Sequence, residues 1–146
     1  MSSSEGAVSD GASGARPPNG ASAVLCGRNE ETRLLLRGLL RLHRYRVLQE
    51  APTPGELDAR PPTTDPVILV LDAESEVAPW DTQLAEALQR RPELRGVVIL
   101  PRGAPPSCSD RARAAGARSV VARPFAIRDL IEALDRALGS SDPPPR

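Results

Sequence analysis

At 146 residues the chain is long enough for one domain, and 40% hydrophobic content with 11 scattered glycines excludes a collagen-like or wholly disordered polymer. The 19 basic residues balance the 19 acidic ones, so the chain lacks the basic excess that a nucleic-acid backbone demands. Every basic residue is arginine, which excludes Schiff-base chemistry and a Walker-type phosphate loop, both dependent on lysine.

Residues 1–20 are Ser, Gly, Ala and Pro with too little apolar surface to order them, and are expected to be a disordered tail. Residues 140–146 (SSDPPPR) read as a second tail, leaving 21–139 as the folded domain, with 17 basic and 16 acidic residues. No apolar run approaches the ~20 residues of a membrane span. No cationic segment precedes an apolar one at the N-terminus. A soluble cytoplasmic protein without membrane contact is expected.

Residues 22–26 (SAVLC) form the first predicted strand, closed by Gly27. Glu30 to His43 reads as a helix with leucines 35, 36, 39, 40 and 42 at helical spacing. Arg33, Arg37, Arg41 and Arg44 fall on roughly the opposite face, and Glu30 and Glu31 sit at the positive end of the helix dipole. Residues 45–49 (YRVLQ) read as a second strand; 53–60 open with a Thr cap and a Pro, so a short, weak helix is expected. VILVLD (67–72) is a continuous apolar run ending in an acid, the pattern of a strand buried on both faces. Asp81 to Arg91 reads as a helix, VVIL (97–100) as another buried strand, and 109–115 as a small helix ending at Gly116, a left-handed cap. SVVA (119–122) is a fifth strand. Ile127, Leu130, Ile131, Leu134 and Leu138 then make an amphipathic helix closed by Gly139.

Strand and helix alternate five times, which predicts an α/β fold: a doubly wound parallel sheet with helices on both faces. Ligands of such sheets sit at the carboxyl ends of the strands. This chain puts Gly27, Arg28, Asp72, Pro101, Arg102 and Arg123 there. One acid and a few arginines converge, with no Ser-His-acid set and no carboxylate pair for acid–base work or metal binding. No GxGxxG turn follows the first strand, so a dinucleotide cofactor is not expected. Cys26 and Cys108 form no CxxC pair, and with a single His no Cys/His zinc site is expected.

PVILVLD (66–72) and AGARSVVARPF (115–125) resemble the blocks PDLVLLD and AGADDYLxKPF of bacterial response regulator receiver domains. The resemblance covers nearly all of 22–139. With the order of elements it implies a flavodoxin-like (βα)5 sheet of order 2-1-3-4-5, flanked by five helices, the second short or irregular. It makes Asp72 the phospho-acceptor position. Gly27 and Arg28 stand where the family has two Mg²⁺-holding acids, Pro101 where it has a hydroxyl, Arg123 where it has Lys, and Val120 where it has an aromatic switch. These departures imply a degenerate pseudo-receiver that is not an enzyme, holds no metal and needs no cofactor; Mg²⁺ enters only if Asp72 is phosphorylated after all. Arg28 or Arg123 is expected to pair with Asp72 and mimic the metal's charge.

The expected partner is a protein, such as another signalling protein or a sensor kinase, with a homodimer as a further possibility and nucleic acid disfavoured. The arginines 33, 37, 41 and 44 are the predicted docking stripe, against the plainer reading of a solvated helix face. Trp80 is left between two roles, interaction anchor or lid over the core.

Overall fold

Runs of apolar residues without alternation leave a strand no polar face to turn to water, so it must be covered on both sides. That is where the central strands stand. The computed structural model describes residues 21–57, 65–73 and 79–139, so both predicted tails lie outside the described residues. Its strands are β1 (Ala21–Cys26), β2 (Tyr45–Ala51), β3 (Val67–Asp72), β4 (Leu94–Leu100) and β5 (Ala117–Ala122). Its helices are α1 (Glu30–Leu42), α2 (Trp80–Arg90), α3 (Pro106–Ala114) and α4 (Ile127–Gly139). All strand pairs are parallel, in the order β2-β1-β3-β4-β5, which is the predicted 2-1-3-4-5.

The pleat divides the core in two. Ala23 and Leu25 of β1, Ile68 and Val70 of β3, and Val97 and Ile99 of β4 face α1 and α4, where Leu36, Leu40, Leu130 and Leu134 close over them. Val24, Leu69, Leu71, Val98 and Leu100 face α2 and α3, where Trp80, Leu84, Cys108 and Ala112 cover them. Each fully buried leucine or valine of this kind stabilises the fold by about 1.5–3 kcal/mol relative to an exposed one.

Four α-helices are present among the described residues, not five. The helix expected at 53–60 is only a 3₁₀ turn, Pro54–Glu56. Gly55 disfavours a helix, and the Thr53 hydroxyl donates to the Glu56 carboxylate (3.1 Å) instead of capping a backbone N–H. Residues 58–60 lie outside the described residues.

Helix α1 also departs from its sequence reading. Its cap is Asn29, whose Oδ1 accepts from the Thr32 N–H at 2.9 Å. Of the five leucines assigned to its inner face, Leu36 and Leu40 are buried, while Leu35 and Leu42 are 72% and 77% exposed. A helix lying on a flat sheet buries a narrow stripe, and residues 100° per step away from it turn outward. Trp80 is 6% exposed and packs in the α2–α3 half of the core, so it is a core residue. Gly116 takes φ +111°, the left-handed cap expected of it.

Candidate functional site

Strand β3 ends with Asp72, whose side chain is fully buried. The neighbouring strand ends surround it, because a parallel sheet brings all its carboxyl ends to one edge. Ala73 N–H donates to the Ile99 carbonyl (2.9 Å) and Gly27 N–H to the Ala51 carbonyl (3.0 Å), which extends the pairing of β3 with β4 and of β1 with β2 to this edge.

Arg123 follows β5 and is anchored there by its own N–H, which donates to the Leu100 carbonyl at 3.0 Å. Its guanidinium forks onto the carboxylate of Asp72: Nη1 donates to Oδ1 at 2.6 Å and Nη2 to Oδ2 at 3.4 Å. Planar two-point contact is the geometry that Arg supplies and Lys does not. The same guanidinium lies 5.9 Å from the Phe125 ring centre, so the aromatic of the PF block holds the cation from its other side. The peptide bond between Arg123 and Pro124 is cis. Both Asp72 oxygens are thus engaged by one cation, which keeps 29% exposure.

The expectation that Arg28 or Arg123 meets Asp72 resolves in favour of Arg123. Arg28 is exposed and makes no ion pair among the described residues. Gly27 stands directly over the site: a Cβ there would come within 3.2 Å of the Asp72 Cβ and 3.5 Å of the Arg33 Cγ. Pro101 is half-buried at the end of β4, and Val120 is half-buried against the α2–α3 half of the core.

Arg33, the first arginine of the predicted stripe, reaches this edge. Its Nη1 donates to the Gly27 carbonyl (2.5 Å), and its Nε lies 3.5 Å from Glu50 at the end of β2. Arg37 takes the other oxygen of the same carboxylate at 2.8 Å. Glu50, an acid in the otherwise mixed run YRVLQEA, is the residue that sequence reasoning passed over. Arg44 lies past the helix in a turn with φ +73°. Only Arg41 of the four predicted docking arginines is an exposed helical side chain.

Close by, the Cys26 thiol is pushed up to about 12, mainly by burial, with nearby Arg33 opposing and Glu56 adding to the shift. On the α2–α3 side of the sheet, Arg111 clasps the start of α2. It pairs with Asp81 at 3.1 Å and stacks 5.1 Å from the Trp80 ring centre. The hydrogen bond from Arg111 is the main cause that holds the Asp81 carboxyl below its usual range.

A Mg²⁺ ion needs several oxygen donors in near-octahedral array. Among the described residues, Asp72 is the one acid at the ends of β1, β3, β4 and β5, and Arg123 already occupies it. No group of three His, Cys, Asp or Glu side chains among the described residues could hold a metal ion. The described residues do not fit a bound Mg²⁺.

No protein-family model matches the chain, and no curated protein matches it. Solved structures do. A receiver-domain protein from Clostridium thermocellum superposes with a TM-score of 0.63 at 16% identity, over 81% of this chain and 94% of that one. A CheY-like receiver protein from Methanospirillum hungatei gives 0.64 at 17%, over 82% and 94%. A structure described as a pilus assembly protein, CpaE, from Burkholderia thailandensis gives 0.66 at 21%, over 82% and 99%. The chain therefore has the receiver-domain fold.

Proposed function

We propose that this chain is a receiver-type signalling module that acts by binding a protein partner and carries no phosphorylation switch. The observation that supports this reading best is the closed pair of Asp72 and Arg123, with both carboxylate oxygens engaged and the carboxylate shielded from solvent. Attack on a phosphodonor needs a free carboxylate oxygen and a cation that shields the incoming phosphoryl group. Here the cation is a fixed guanidinium already spent on the carboxylate itself. Gly27 and Arg28 add no acid, and Pro101 offers no hydroxyl to follow a phosphoryl group. Val120 has neither the ring nor the hydroxyl of an aromatic switch. A site closed in this way holds the surrounding surface in one state, as a permanently set module requires.

A protein partner fits better than nucleic acid, since residues 21–139 are near charge balance. The phospho-acceptor reading is the competing outcome of the test. The full chain is incubated with acetyl phosphate and Mg²⁺ and weighed by intact-protein mass spectrometry. No mass gain is expected. Gain of one phosphoryl group, lost in Asp72→Ala, would establish a working phospho-acceptor and overturn the reading.

A further inference from the structure

Helix α1 turns Arg33 and Arg37 towards β2 and leaves Leu34, Leu35 and Leu42 facing outward. Arg33 and Arg37 reach across to Glu50, so the outward surface is not the basic stripe that the sequence suggests. At 100° per residue the exposed positions are Glu30, Glu31, Leu34, Leu35, Gly38, Arg41 and Leu42, with Gly38 at their centre. Leu34, Leu35 and Leu42 are 55%, 72% and 77% exposed, and all three flank that glycine. Scattered exposed leucines are ordinary, but three on one helix face form a patch.

Gly38 is the second, independent observation. A Cβ built there meets nothing within 4 Å, so the chain's own packing does not require glycine. Mid-helix glycine weakens a helix relative to alanine. What a missing side chain provides at an open position is close approach by another backbone.

Charge distribution identifies which backbone. The outward face is acidic at its start, with exposed Glu30 and Glu31, and basic near its end, with exposed Arg41. A parallel copy would set like charges side by side. An antiparallel copy crossing at Gly38 sets Leu34 against the partner's Leu42. At about 1.5 Å per residue it brings Glu31 within about 6 Å, along the axis, of the partner's Arg41, inside the reach of the two side chains. The face is complementary to itself under a two-fold axis, the commonest symmetry of soluble oligomers.

We propose that the chain pairs with a second copy of itself through the outward face of α1, crossing antiparallel at Gly38 with the exposed leucines as the buried seam. This is independent of how Asp72 behaves.

The test is sedimentation equilibrium of the full 146-residue chain and its variants. Gly38→Ala separates the readings because its two effects oppose each other. It should make the dissociated chain more heat-stable by a few degrees. It should also weaken self-association about tenfold or more by forcing a methyl into the crossing. Leu35→Gln should weaken it similarly, with folding checked by circular dichroism. If Leu35→Gln fails to fold, Gly38→Ala still decides, since its methyl enters open space. Glu31→Arg and Arg41→Glu should each weaken pairing, and the double variant should recover it. A wild-type chain monomeric up to about 100 µM would overturn the proposal and leave the face to a different partner. A Gly38→Ala chain that pairs as tightly as wild type would overturn it as well.

Discussion

Removal of Arg123 tests the closed pair directly. The Asp72 side chain is fully buried and Arg123 is 29% exposed, so the two ends of the pair are not equivalent. Breaking a buried pair by deleting one partner costs about 3–5 kcal/mol, because a charge is left without compensation. Solvent access at the guanidinium end reduces this, so Arg123→Met should cost about 2–3 kcal/mol. Asp72→Asn leaves the charge on the partner that water can reach, and an amide that still accepts a hydrogen bond; it should cost about 1 kcal/mol. The double variant should recover part of the loss, with a coupling of about 1–2 kcal/mol. For a domain of this size Arg123→Met lowers Tm by roughly 8–12 °C. Urea unfolding followed by circular dichroism reads these differences, and an unchanged m-value shows that the compactness of the end states is unaltered. A loss under about 0.5 kcal/mol for Arg123→Met, or a greater loss for Asp72→Asn, would refute the argument that the buried carboxylate depends on this one cation.

Three further outcomes are expected. Arg37→Glu should destabilise the fold by about 1 kcal/mol through repulsion from Glu50, while Arg41→Glu stays within about 0.5 kcal/mol of wild type in dilute urea titrations. Cys26 should resist thiol reagents until the chain unfolds. Its thiol is raised from an ordinary value near 9 to about 12, so the folded state binds the proton more tightly. The associated stability is complete below about pH 9 and lost as pH rises towards about 12, as alkaline urea titrations should read. Asp81 is shifted the other way by Arg111, so its contribution is present above the ordinary carboxylate range and lost as pH falls through its lowered value. Arg111→Gln should flatten that part of the acid limb, which midpoint measurements between neutral and acid pH will show.

The sheet was legible in the apolar runs alone. VILVL and VVIL admit no solvent-facing side, so they had to be central and parallel, and five alternating units then left a doubly wound arrangement. The sequence also supplied the chemical identity of the site, since Asp72, Gly27, Pro101 and Arg123 are read off at strand ends that such a sheet must bring together. It did not determine which arginine meets Asp72. Arg28 and Arg123 carry the same group at the carboxyl ends of β1 and β5, on either side of β3, and only the path of the chain after β5 aims one of them at the carboxylate. Nor could it sort the two sides of α1. Leucine and arginine both recur there at helical spacing, and periodicity reports that a helix has two faces without saying how wide a stripe the sheet covers. That width, and the partnership of Glu50 with Arg33 and Arg37 from a different element, arise only when helix and strand are packed. Arg33 and Arg37 were thereby turned towards the half-buried Glu50, and Leu34, Leu35 and Leu42 were left facing out, because long cationic side chains can lie along a surface to reach a carboxylate and leucines cannot.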